Sequence, residues 1–442
     1  MFDTIVSLTT APLKASLAVI RLSGSDAFAI ASKCLDKDLT KLNQRTLLTG
    51  YFKDEDEIID QVVICVYKGP RSFTGEDVVE FICHGSVLIA NEIVATLIKN
   101  GARQAERGEF SQRAFLLKKV DLVQAEAIND LINAKTHESK QIALLSLEGE
   151  ASKTFEPFRK EIEDLICSIE VHFDFPEEAD NPEVTDLEII EKTTSMLEKL
   201  DELILSANKG KIIKDGVNVA IVGKPNVGKS SLLNALLNEN KAIVTDVAGT
   251  TRDIVEGDIN LDGIALHLLD TAGIRESDDQ IESIGIDKSK ETIKKADVVI
   301  VLLDASNELD EEDKQILEYT KDTNRIIVYN KADKALDKDN EGLYISALNK
   351  DIEPLKKELF KILGINAGDF NTPSLANARQ IGLLNQIKKE LLKAKEDASN
   401  GEPMDLIVIS LTAAYNKSLE LLGENSDVDI ANEIFSRFCV GK

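Results

Sequence analysis

Two glycines, a lysine and a serine at the spacing Gly223-Lys224-Pro225-Asn226-Val227-Gly228-Lys229-Ser230 can hold the phosphates of a nucleotide. The glycines let the backbone turn its N–H groups inward, Lys229 brings positive charge to the β and γ phosphates, and Ser230 offers a hydroxyl to Mg2+. Ser231 opens the helix-like run behind the loop, whose dipole favours an anion. Asp270-Thr271-Ala272-Gly273 follows the apolar run 265–269, which puts a carboxylate at a strand end where it can hold Mg2+ through water. Asn330-Lys331-Ala332-Asp333 follows a second such run, 325–329, and Asp333 there can accept two N–H groups from a guanine edge, a donor pair that adenine lacks. Ser346-Ala347-Leu348 would complete the base pocket with backbone contacts. Four elements in this order, each at a strand end, specify a GTPase.

Hydrolysis needs a positioned water and positive charge on the transferring phosphoryl group. In Ras-like GTPases a glutamine after the Asp-x-x-Gly motif orients the water, but here that position is Ile274, which cannot. A polar residue must come from 274–285, which holds Arg275, Glu276, Asp278, Asp279, Gln280 and Glu282. Loop-like Asp246-Val247-Ala248 leads into Gly249-Thr250-Thr251-Arg252-Asp253, where Thr251 is placed to reach Mg2+. For Asn226 the residues leave two readings: an amide oxygen for a monovalent cation, or a hydrogen bond to the neighbouring loop.

Positioning these groups takes alternating strands and helices, expected over 211–365. Residues 1–118 read as α+β, with β-like runs at Thr4 to Leu8, Ala18 to Leu22, Gln61 to Tyr67 and Val78 to Cys83 and a helix from Ser86 to Lys99. Helical spacing takes over in 119–210, through Leu122, Ala125, Ile128, Leu131 and Ile132, then Ile162, Leu165, Ile166 and Ile169, then Leu187 to Leu205. It returns in 366–442, so the expected architecture is multidomain: an N-terminal α+β domain and an all-α helical domain into which a Ras-like α/β P-loop GTPase domain is inserted. The acidic, proline-containing stretch 174–182 beside His172 reads as a solvated connection rather than a metal site.

The chain has 442 residues, too many for one core, and a net charge of −26, which excludes broad nonspecific nucleic-acid binding because phosphates need exposed Lys and Arg. Any RNA substrate would call for a partner to help hold it. Five scattered cysteines, without Cys-x-x-Cys spacing, speak against disulfides and structural zinc. The N-terminus lacks a leader pattern and no apolar run is of membrane-spanning length, so a cytoplasmic protein without a membrane segment is expected.

Taken with Ala18 to Gly24, Ser72 to Glu80, His84-Gly85, Gly108 to Leu116, Asp121 to Ala127, Asp174 to Glu178 and the final Phe438-Cys439-Val440-Gly441-Lys442, these motifs closely resemble the bacterial MnmE (TrmE) family of tRNA-modification GTPases over essentially the full length. The chain departs from the family pattern at 12–17, Ser86, Arg107 and 117–119. The resemblance implies a homodimer that works with the flavoenzyme MnmG, as a heterotetramer, to add a carboxymethylaminomethyl or aminomethyl group to carbon 5 of the wobble uridine of certain tRNAs. It implies a folate-binding-like N-terminal domain that also dimerises, where Arg21, Glu80, Lys119 and Lys442 would contact 5-formyltetrahydrofolate or a related tetrahydrofolate. It further implies that Glu282 orients the attacking water, and that Asn226, Thr245, Thr250 and the backbone of Val247 bind K+. Cys439, on an apolar helix end, reads chemically as either a buried spectator or a reactive thiol, and the resemblance favours a role in modification. A ribosome-assembly GTPase acting as a binding switch is the alternative, since such proteins share the asparagine-bearing loop and a Gly-Thr-Thr segment.

Overall fold

The computed structural model describes residues 3–42, 45–174, 185–239, 258–269, 292–335, 341–424, 434–436, 438 and 441. They form two compact units, residues 1–129 with 416–442, and residues 130–415.

In the first unit, strands β1 (Ile5–Leu8), β2 (Leu17–Ser23), β3 (Thr46–Asp54), β4 (Glu57–Tyr67), β5 (Val78–His84) and β6 (Arg103–Gln104) make one sheet in the order β3-β4-β5-β2-β1-β6. Alternation decides its faces. Ala18, Ile20 and Leu22 of β2, Val62, Ile64 and Val66 of β4 and Val79, Phe81 and Cys83 of β5 are buried in one core with Phe28 and Ile30 of helix α1 (Ala27–Lys33) and Ile93 and Leu97 of α2 (Val87–Lys99). Each large apolar side chain buried this way stabilises the fold by roughly 1.5–3 kcal/mol. The intervening positions carry Arg21 and Glu80, directly opposite each other in the β2–β5 register. Ser86 takes the N-cap position of α2 with extended backbone, yet its side chain makes no cap hydrogen bond.

Helix α3 (Glu109–Leu116) starts after Gly108, and α4 (Leu122–Asn133) follows. Of the apolar row expected on α4, Leu122 and Ala125 are buried while Ile132 is exposed. Phe435 and Phe438, near the end of the chain, join Leu122, Ala125 and Phe115 in a small core. Gly108, at φ +67°, leaves no room for a side chain, since a Cβ there would lie 2.4 Å from the Phe435 carbonyl oxygen.

The second unit holds helices α5 (His137–Leu147), α6 (Glu150–Asp174) and α7 (Asp186–Asp215). Reciprocal hydrogen bonds between Thr136 and Ser139 cap α5. Ile162, Leu165, Ile166 and Ile169 of α6 are buried as their spacing predicts. Helix α7 runs well beyond the expected end at Leu205, because Gly210 is not a stop: a Cβ there would meet Ser374 Oγ at 2.1 Å, so this glycine admits a neighbouring segment. The helix ends at Gly216, at φ +83°. Of the acidic stretch only Asp174, the last residue of α6, is described; the rest lies outside the described residues.

The sheet of this unit, in the order β12-β11-β10-β7-β9-β8, comprises β7 (Val217–Val222), β8 (Asp258–Leu261), β9 (Ile264–Leu269), β10 (Val298–Asp304), β11 (Arg325–Asn330) and β12 (Leu343–Tyr344). All its pairings among the described residues are parallel except β8 with β9. Central β10 is buried on both faces, as its unbroken apolar run requires. Helices α8 (Lys229–Glu239) and α9 (Glu311–Tyr319) lie between strands, and α10 (Glu353–Leu363) follows β12. Helix α11 (Ala378–Ser399) packs along α7, and α12 (Met404–Leu422) follows. No helix among the described residues is long and apolar enough to cross a membrane.

Candidate functional site

The parallel strands β7, β10 and β11 all deliver their C-terminal ends to one edge of the sheet, where an α/β fold builds its ligand crevice. From β7 the chain turns through Gly223 to Gly228 and enters α8 at Lys229. Close approach dictates both glycines: a Cβ on Gly223 would lie 2.3 Å from the Leu302 carbonyl oxygen, and one on Gly228, at φ +102°, 2.2 Å from Asn330 Nδ2. Asn226 also adopts a positive φ, +64°, and is exposed at the turn. Lys229 donates to the carbonyls of Gly223 at 2.5 Å and Lys224 at 2.9 Å, and burial pushes its ammonium below the usual lysine range. A half-buried ammonium at a helix start, held by loop carbonyls, is suited to exchange those oxygens for phosphate oxygens.

Asn330 is the tie between phosphate loop and base loop. It is 2% exposed, donates through Nδ2 to the Val227 carbonyl at 2.9 Å and accepts from the Ala347 N–H at 3.0 Å. Asp333 is exposed, accepts from Ser346 Oγ at 2.6 Å, and this bond holds its carboxyl below the usual range. The carboxylate is therefore held ionised, with Ser346 fixing its Oδ1. Lys331, at φ +63°, pairs with Asp304 at 2.6 Å, and the Ala332 N–H donates to the Ile345 carbonyl. Leu348 is exposed beside them. The structure thus brings together Val227, Gly228, Asn330 and Ala347, and joins Asp333 to Ser346.

Sequence reasoning missed Lys224, which bridges Asp310 at 2.6 Å and Asp313 at 2.7 Å at the N-terminus of α9 and so braces the phosphate loop. Its only signal was a lysine inside the motif. Thr245, Asp246, Val247, Ala248, Gly249, Thr250 and Thr251, the Asp270-Thr271-Ala272-Gly273 motif and Glu282 lie outside the described residues, as do Cys439 and Lys442. Of the oxygen donors expected for cations, exposed Asn226 and Ser230 at the start of α8 fit the hard ions Mg2+ and K+.

In the first unit, Arg21 Nε pairs with Glu80 Oε1 at 2.8 Å, and Tyr67 donates to Glu80 Oε2 at 3.4 Å. The rings of Phe73 and Phe110 flank the Arg21 guanidinium at 4.7 and 5.4 Å. Lys119 donates to the Pro70 carbonyl, at the base of the loop that carries Phe73. Arg113, with its side chain 2% exposed, is paired with Glu76, Glu109 and Asp3. Gly441, at φ +94°, packs so closely on Leu8 that a Cβ would meet its carbonyl oxygen at 2.5 Å, one step along β1 from the residue paired with Arg21. Arg21, Glu80 and Lys119 are named through the family resemblance, whereas Phe73, Phe110 and Arg113 are not singled out, although all three sit in the quoted motifs.

The fold and the Asn330-centred site define a P-loop GTPase. A family profile described as MnmE helical domain matches residues 122–439, and one described as GTP-binding protein TrmE N-terminus matches residues 4–119. The chain belongs to the MnmE (TrmE) family. Proteins described as tRNA modification GTPase MnmE from Streptococcus pneumoniae (strain Hungary19A-6) and Lactococcus lactis subsp. lactis (strain IL1403) are each 41% identical to it, over 100% of this chain and 99% of theirs. One from Enterococcus faecalis (strain ATCC 700802 / V583) is 40% identical over 100% of this chain and 98% of its own. Among solved structures, a single-substitution variant of Aquifex aeolicus Era bound to GDP.AlF4- is similar at 26% identity and a TM-score of 0.26, covering 40% of this chain and 67% of that one.

Proposed function

We propose that this chain is a K+-stimulated GTPase that, with MnmG, adds a carboxymethylaminomethyl or aminomethyl group to carbon 5 of the uridine at the wobble position of certain tRNAs, using a tetrahydrofolate one-carbon unit. The observation that supports the nucleotide half is buried Asn330, which ties the Val227 carbonyl to the Ala347 N–H, next to the Ser346–Asp333 bond. Full-length similarity to proteins described as tRNA modification GTPases supports the other half.

In this reading Lys229 and the loop amides hold the phosphates of GTP, while Ser230 and Thr251 hold Mg2+, assisted through water by Asp270. Asn226, Thr245, Thr250 and the Val247 carbonyl hold K+, which supplies the positive charge that an arginine finger would otherwise bring. Glu282 orients the attacking water. Arg21, Glu80, Lys119 and Lys442 bind the folate, and the Arg21–Glu80 pair beside two aromatic rings suits a flat pterin. Cys439 serves the modification step. The protein acts in the cytoplasm as a homodimer.

Mass spectrometry of tRNA nucleosides from cells lacking the protein tests this reading. Loss of the carbon 5 substituent at the wobble uridine, together with purified-protein GTP hydrolysis faster in K+ than in Na+, is expected. Normal wobble uridines with co-purification on ribosomal particles would replace the proposal with the ribosome-assembly alternative.

A further inference from the structure

The strand pair β8–β9 lies, in the chain, between the stretch that holds Thr245 to Thr251 and the one that opens at Asp270. His267 on β9 sits directly opposite Asp258 on β8, with Nδ1 2.6 Å from Asp258 Oδ1. Its Nε2 is 2.8 Å from the carbonyl oxygen of Asp215, the last residue of α7. Asp258 uses its other oxygen to accept from Lys135 at 2.7 Å, just ahead of the α5 cap. At the hairpin turn, Gly263 has φ +103° and would place a Cβ 2.6 Å from Glu138 Cδ. Gly216, which follows Asp215, is equally confined: a Cβ would meet the Ala265 carbonyl oxygen at 2.5 Å and His267 Nε2 at 2.6 Å.

Three residues of the helical segments, Lys135, Glu138 and Asp215, therefore grip one hairpin. That hairpin has little play of its own, because Ile259, Leu261, Ile264, Leu266 and Leu268 are all buried in the sheet core. Strand β7, paired with β9 so that Asn218 faces His267, leads straight to the phosphate loop. A force applied at either end of the hairpin must then be absorbed in a packed core or passed to the helices, and packed cores yield poorly.

We propose that His267 is a positioning residue for the coupling of the nucleotide state to the helical segments, with its Nε2 bond to the end of α7 as the transmitting contact and the Lys135–Asp258 pair as its brace. The proposal rests on the GTPase reading above. It names the joint through which that reading would exert control.

Asparagine and glutamine separate the two ring nitrogens. His267→Asn would keep a donor where Nδ1 stands and His267→Gln one where Nε2 stands, so these two variants are the tests, with Lys135→Met removing the brace from an exposed position. The measurement is hydrogen–deuterium exchange over residues 134–147 and 208–216 in full-length protein, saturated with GDP or with a non-hydrolysable GTP analogue. The parent is expected to show exchange differing by about fivefold between the two nucleotides, a typical coupling between sites. His267→Gln keeps that difference, whereas His267→Asn and Lys135→Met lose it with nucleotide affinity within about threefold of the parent. A difference retained in full by His267→Asn overturns the assignment, as does a parent that binds both nucleotides with identical exchange. A parent that binds neither guanine nucleotide overturns the GTPase reading as well.

Discussion

Replacing Asn330 by alanine severs the side chain that joins the phosphate loop to the base loop. Both of its bonds, at 2.9 and 3.0 Å, are lost at a position 2% exposed. Each contributes roughly 1 kcal/mol net, and the Val227 carbonyl and Ala347 N–H left behind in a buried setting add to the loss, giving about 2–3 kcal/mol in all. If the whole of it falls on nucleotide binding, affinity for GTP drops about 30- to 150-fold. Titration with a fluorescent GTP analogue measures that part, and thermal unfolding of the nucleotide-free protein measures whatever part falls on the fold. Guanine should still be preferred over adenine, since Asp333 and Ser346 remain. Affinity within about threefold of the parent, with unchanged thermal stability, would refute the claim that Asn330 ties the loops.

Three further outcomes are expected. Asp333→Asn exchanges a carboxylate for an amide that can donate, so preference should pass from guanine to xanthine nucleotides in competition binding; retained selectivity for GTP would show that another group reads the base. In the first unit, the Arg103 hydrogen bond chiefly holds Asp3 down at about 2, and Arg103, the Glu106 N–H and Arg113 outweigh burial to hold Glu109 below its usual range. Folded-state values below the unfolded ones mean stability that is present above about pH 4 and lost as pH falls towards 2, so Asp3→Asn should flatten the acid-unfolding profile followed by amide exchange in this unit. Burial raises the Cys34 and Cys83 thiols to about 11, whereas Cys167 is exposed, so maleimide at neutral pH should mark Cys167 well before either, as peptide mass spectrometry can read.

What the sequence made legible is what depends on fixed local spacing. The Gly223–Ser230 loop, the Asn330–Asp333 segment and the parallel strands leading into them follow from glycines and apolar runs a few residues apart. Arg113 escaped because its partners Asp3 and Glu76 are 110 and 37 residues away, and no local pattern announces such a meeting. Gly210 misled because a glycine inside a helix looks like a terminus unless the segment packed against it is known. Strand β3 was missed for a related reason: its apolar Leu47 and Tyr51 face outward at the sheet edge, which spoils the alternation. His267 carried no motif at all and gained meaning only when both its neighbours were in view.

The packing of Phe435 and Phe438 on residues 108–125 also has a consequence for biosynthesis. Residues 1–129 are translated long before 416–442 exist, and at about 5–20 residues per second the interval is on the order of 15 to 60 s. Throughout that interval the nascent N-terminal unit presents an apolar seam around Phe115 and Leu122 that awaits its closing aromatics. Phe115 and Leu122 gain these covering aromatics only once Phe435 and Phe438 have been made, so closure of this small core comes last in such an order of synthesis.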